Sequence, residues 1–188
     1  IVLLLNFSCT DWLDVKPVDR MSEDQLYSTE AGFRQALNGI YVELNHADLY
    51  GDELLVNTVE ILAQRYKFSS MGTLTNQYHL AEFDYTTDYA KKCGSRIWEK
   101  AYALIANVNK LLKNADSHKD LFTGDSYDLI TGEAYALRAF LHFDLLRLFG
   151  PVYKTHKEDK SICYNTQFSL SGSDLLPASK VMEYVIAD

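Results

Sequence analysis

Gly132-Glu-Ala-Tyr-Ala-Leu-Arg-Ala-Phe-Leu-His-Phe-Asp-Leu-Leu-Arg-Leu-Phe-Gly-Pro-Val152 is apolar at helical spacing and ends at a glycine-proline pair. With the residues before it, the pattern predicts a helix from Ser126 to Phe149. Ile130, Ala134, Leu137, Leu141, Leu145 and Leu148 fall on one side, and Ala136, Ala139, Phe140 and Phe143 on another. A helix apolar on two sides is normally packed between neighbours. Gly150-Pro151 stops it, because proline cannot continue the hydrogen-bond ladder. Within it, Arg138 and His142 lie one turn apart, with Asp144 and Arg147 nearby, a spacing that reads as a structural polar network between helices.

Outward from this helix the same period recurs. Ile97, Trp98, Ala101, Leu104, Ile105, Val108, Leu111 and Leu112 form one stripe of a helix expected over 96–114. Trp98 sits in register with that stripe and reads as core. Phe33, Leu37, Ile40, Tyr41 and Leu44 predict a helix over 30–46, with N-cap chemistry from Ser22-Glu-Asp-Gln25 and Thr29-Glu30. Another begins near Asp52 with Leu54, Leu55, Val59 and Leu62. From Arg65 to Lys92 there is no period, and the stretch reads as one long loop of a length that tends to be functional. Beyond Pro151 an irregular segment leads to Pro177, and a last helix is expected over 179–188. The fold class is therefore all-α: stacked antiparallel helix pairs in a tetratricopeptide-like superhelix with long irregular loops. The full tetratricopeptide pattern is not met.

Composition fits a globular chain. Of 188 residues, 47% are hydrophobic and 23% charged, enough for a substantial core. The formal net charge of −8 and the absence of a Lys/Arg cluster exclude a surface built for phosphates, so nucleic acid is not an expected partner. Thirteen tyrosines outnumber nine phenylalanines, and tyrosine joins a flat apolar face to a hydroxyl, which suits sugar binding and half-buried helix packing equally well.

The first residue is Ile1 instead of Met, and the helical pattern still runs at Asp188; both read as a fragment cut at its ends. Residues 1–8 read as the remnant of a lipoprotein signal peptide, too short to span a membrane. Cys9 is the expected lipid attachment site, although Asn6 stands where a lipobox usually has leucine, and a buried first strand or helix turn with a chance cysteine is the alternative. Each buried acyl methylene would add about 0.8 kcal/mol of anchoring. Residues 9–21 read as an extended tether broken by Pro17, and 22–188 as the helical domain. Cys93 and Cys163 lack metal-binding spacing; they are either free or paired in an oxidising setting.

At its start, Cys9-Thr-Asp-Trp-Leu-Asp14 resembles the mature start of SusD/RagB lipoproteins. The Trp98 helix with Tyr102, Ile105 and Asn109, and most of all the Gly132–Val152 block, is similar to the most recognisable parts of that family. Pro151-Val-Tyr153, Leu176-Pro-Ala178 and the last helix with Tyr184 look like the family's next segments; Ile162-Cys163-Tyr164 has no counterpart. The resemblance implies a helical, lipid-anchored protein on the cell surface, in the outer leaflet of the outer membrane. It also implies capture of glycan or oligosaccharide and delivery to a SusC-like TonB-dependent transporter, without catalysis and without a cofactor. The alternative is a helical-repeat interaction scaffold of a surface uptake complex, with no ligand contact in this chain.

No nucleophile, phosphate-loop or metal motif is present, so no catalytic residue and no metal is expected. A glycosidase would need two placed carboxylates, and nothing marks such a pair. Asn45, Asp48, Asp52 and Glu53 miss calcium-loop spacing and read as a solvated helix junction. The candidate ligand residues lie in the 65–92 loop: Arg65, Tyr66, Gln77 and Tyr78 combine flat rings with groups able to bond sugar hydroxyls.

Overall fold

A computed structural model describes residues 21–68, 72, 75–169 and 172–188. Cys9, the leader remnant and nearly all of the tether lie outside the described residues. Among those described there are eight α-helices and no strand beyond one isolated bridge, so the chain is all-α.

The expected order starts with two caps. In α1 (Glu23–Leu26) the Ser22 side chain and the Gln25 amide form the reciprocal capping box. In α2 (Glu30–Leu44) the Thr29 hydroxyl accepts from Gly32 N at 3.2 Å. Gly32 is required by proximity: a Cβ there would stand 1.7 Å from Leu26 O. The second expected helix is mostly turns. Between Asp52 and Asn57 three successive amides share Asp52 O as acceptor, and only α3 (Thr58–Leu62) is helical.

The stretch 65–92 is not one loop. It holds α4 (Thr75–Ala81) and the opening of α5 (Asp88–Ser117), which begins well before Arg96. Thr87 caps α5 by accepting from Ala90 N, and Ala90 and Cys93 extend the buried stripe of Ile97 and Ala101 by two turns. The polar run Lys91-Lys92 and Gly94-Ser95 conceals that extension in the sequence. A short 3-10 turn (Lys119–Leu121) leads to α6 (Ser126–Phe149), whose bounds match the sequence pattern.

The pairing of α5 with α6 is antiparallel. Trp98 meets Phe149, Tyr102 meets His142, Asn109 bonds Arg138 and Asp116 bonds Tyr127, in opposite chain order. Trp98 is half-buried in this contact. Helix α2 is antiparallel to α5, through Glu43–Lys100 and Phe33 near His118, and parallel to α6, through Arg34–Ser126 and Tyr41–Glu133. Their shared core includes Phe33, Leu49, Ile105, Leu111, Ile130 and Leu145; each such side chain contributes about 1.5–3 kcal/mol by leaving water. The second apolar face of α6 is not packed between helices among the described residues: Ala136 and Phe140 are exposed, and Ala139 and Phe143 half-exposed.

After the Gly150-Pro151 stop come α7 (Tyr153–His156) and an irregular segment closed by the Lys160–Pro177 bridge. Ile162 is fully buried and Tyr164 nearly so. Helix α8 (Ala178–Ala187) then runs back along α6, bringing Asp188 to Arg138. The Arg138 guanidinium donates to both Asp188 oxygens, at 2.6 and 2.5 Å, and through Nη1 to Asn109 Oδ1 and Thr166 O. His142 Nδ1 lies 2.9 Å from Arg138 O, its Nε2 accepts from Asn165 N at 3.1 Å, and its ring stacks on Tyr164 at 3.9 Å. Arg138 and His142 are thus the polar network expected from their spacing, and they pin residues 162–166 to the helix pair. Cys93 and Cys163 are free thiols.

Candidate functional site: a pocket of rings and amides on a satellite core

A second, smaller core of Ile61, Leu80, Ala81 and Ala90, with Leu62, Phe68 and Tyr89 against it, joins α3 and α4 to the start of α5. At the end of α3 the chain reverses at Gln64, whose φ of 59° lies in the left-handed region that side chains other than glycine seldom enter. The reversal is held from outside: Gln64 Nε2 donates to Ala81 O at 2.7 Å, tying it to the end of α4. Phe83, just after α4, adopts the same left-handed backbone at φ 58°.

The reversal folds residues 65–68 back over α3. Tyr66 OH donates to Val56 O at 3.0 Å, and its ring meets Phe68 edge-on at 6.0 Å. Asn57, Ile61, Tyr66, Lys67, Phe68 and Gln77 line an open pocket of about 420 Å³, within the size range of small-molecule sites. Among the described residues the Gln77 amide and the Lys67 ammonium carry no hydrogen bond or ion pair, so their donors face the pocket unspent. Flat rings beside amide donors and acceptors can hold a polyhydroxylated ring by its apolar face and its hydroxyl edge. A larger groove of about 670 Å³ runs along α2; it also holds the amides of Gln35 and Asn107, but its lining is mainly apolar and its one ring, Tyr27, is buried.

Of the four candidate residues, Tyr66 and Gln77 line this pocket. Arg65 and Tyr78 do not line it: the exposed Arg65 has its Nε 4.0 Å from Glu60, and the Tyr78 ring packs edge-on against His79 at 5.7 Å. Asn57, Lys67 and Phe68 join the site without having been singled out from sequence. Phe68 alternates with Tyr66, a weak signal, whereas Asn57 reaches the site only through the turn at Gln64.

Of the polar group near α3, Asn45 is exposed and Asp48 and Asp52 half-exposed, as a solvated junction would have them, but Glu53 is buried. Glu53 is 1% exposed, bonded to Thr58 and to the guanidinium of Arg96, and Asp52 accepts from Asn57 Nδ2 at 3.2 Å. Asp52 thus holds the pocket residue Asn57, and Glu53 ties the start of α3 to α5 through Arg96. Among the described residues no group of three or more His, Cys, Asp or Glu could hold a metal ion, and no helix is long and apolar enough to cross a membrane.

A SusD-like family model, described as "Starch-binding associating with outer membrane", matches residues 11–173. SusD-like protein P2 of Formosa agariphila is 27% identical over 191 residues, covering 100% of this chain and 35% of that protein. SusD-like protein P25 of the same organism is 27% identical over 148 residues, covering 77% of this chain and 28% of that protein. The chain thus spans about a third of the length of these curated relatives. No solved structure matches.

Proposed function

The chain belongs to the SusD-like family, and from that premise we propose that it takes part in glycan capture at the cell surface and in delivery of oligosaccharide to a SusC-like TonB-dependent transporter. The observation that carries the reading is the pocket at Tyr66, Phe68 and Gln77, where ring faces meet the open donors of Gln77 and Lys67. The reaction is binding without bond cleavage. Cys9 is the lipid attachment that tethers the protein to the outer membrane.

Calorimetric titration with a panel of soluble polysaccharides tests the first part. Binding to at least one is expected, and Tyr66→Ala should weaken it roughly tenfold, the loss of one stacking and hydrogen-bonding side chain. Absence of binding across the panel overturns the reading. Metabolic labelling with a clickable fatty acid tests the anchor: label should be lost in Cys9→Ala, and equal labelling of both proteins rules the anchor out.

The second reading, an interaction scaffold of the uptake complex, is favoured by the outer face of α6. Leu129 is 59% exposed and Phe140 44% exposed, with Ala136 between them. If that face carries the function, transporter capture survives Tyr66→Ala and fails when the face is made polar.

A further inference from the structure

A second cleft, of about 390 Å³, opens where α5, α6 and residues 166–168 meet. Its lining includes Lys113 and Asp116 of α5, Tyr135 and Arg138 of α6, and Gln167 and Phe168 of the irregular segment. Measured along α5, even its nearest lining residue, Asn109, lies roughly 28 Å from Ala90 beneath the first pocket, at 1.5 Å per residue. The two are separate places.

The chemistry of this cleft is specific in kind. Arg138, with a side chain only 7% exposed, commits four of its five N–H groups to Asp188, Asn109 and Thr166; one N–H of Nη2 has no partner among the described residues. Its guanidinium lies 5.1 Å from the centre of the Tyr135 ring, and Lys110 Nζ stands 4.6 Å from that of Phe168, so both rings are held by cations. The Lys113 ammonium, the Gln167 amide and the Tyr135 hydroxyl make no hydrogen bond or ion pair among the described residues. Asp116 supplies an acceptor, already bonded by Tyr127 OH at 2.5 Å.

A phosphate or other multiply charged anion is disfavoured, because Arg138 is already paired with Asp188 and the Asp116 carboxylate offsets the Lys113 ammonium in the lining. A wholly apolar ligand would strand the open donors. What fits is a neutral polyhydroxylated ring, with an apolar face against Phe168 or Tyr135 and hydroxyls that both donate and accept. We infer that this cleft is a second carbohydrate-binding site, sized for the end of an oligosaccharide. The ligand class rests on the glycan reading of the first pocket; the place does not.

Glutamine supplies a reporter in each pocket, Gln77 in the first and Gln167 in the second. The full chain, labelled with nitrogen-15 in its glutamine side chains and assigned with Gln77→Ala and Gln167→Ala, is titrated with maltoheptaose, cellohexaose, xylohexaose and mannohexaose. The expected result is a saturable shift of the Gln167 amide with at least one sugar, weakened roughly tenfold by Phe168→Ala and by Lys113→Ala. Movement of Gln77 alone overturns the second site and leaves the glycan reading standing. Movement of Gln167 alone upholds the second site and counts against the first pocket. A Gln167 shift indifferent to both substitutions overturns the second site, being relayed from elsewhere. No movement of either amide with any sugar overturns both.

Discussion

His142 is the single group whose protonation reaches furthest. Its Nδ1–H donates to Arg138 O and its Nε2 accepts from the Asn165 amide, an arrangement that requires the neutral ring. Burial pushes the imidazole down from 6.5 to about 4. A base with a depressed folded pKa protonates first in the unfolded chain, so its contribution is complete above pH 6.5 and is lost as pH falls through 4. At 1.36 kcal/mol per unit the loss is on the order of 3 kcal/mol. Urea unfolding followed from about pH 7 to pH 4 should show this decline, and His142→Gln should remove that part of it; an unchanged slope in the variant assigns the decline to other groups. His142 and Arg138 are legible as a network because helical spacing places them one turn apart. Their partners Tyr164, Asn165 and Asp188 are not, because an irregular segment has no period from which side-chain direction can be read.

At the scale of elements, punctuation decides what can be read. Helix α6 is bounded correctly because Gly150 and Pro151 mark its end; at Gly150 a Cβ would meet Leu146 O at 2.4 Å, so the position admits little else. Helix α4 escapes the sequence pattern because only Leu80 and Ala81 of its seven residues are buried, too few to register a period. The turn that assembles the pocket escapes it because Gln64 occupies a left-handed position where glycine or asparagine would have announced it. Its stability comes from the satellite core instead. Leu80→Ala, or Ile61→Ala, should therefore cost about 2–4 kcal/mol locally. Hydrogen exchange checks this: amides of 57–84 should speed up while those of α5 beyond Ala101 and of α6 keep their protection. Uniform acceleration through α6 would show that the two cores unfold as one.

For the whole molecule, the antiparallel pairs expected from the periodicity are present, with α2, α5, α6 and α8 as the packed elements; family membership rests on the match over residues 11–173. The outer face of α6 reads as buried in the sequence yet is open in the structure, since the pattern records apolar residues and not what covers them. Leu129 is exposed and Phe140 keeps a ring contact, stacked on Tyr50 at 5.1 Å, so Leu129→Ser with Phe140→Ser should cost no more than about 2 kcal/mol, most of it from the lost stack. Thermal unfolding measures that, and transporter co-purification with the same variant measures whether the face holds a partner. The candidate pocket stands on α3, α4 and the first turns of α5, sharing none of the buried side chains of the larger core. Sequence drift in 57–84 is therefore expected to leave the packing of the larger core in place. Deep mutational scanning should find two regimes of tolerance in one chain: a helical body that purges replacements, and a segment around the pocket whose surface can change chemistry without a change of scaffold.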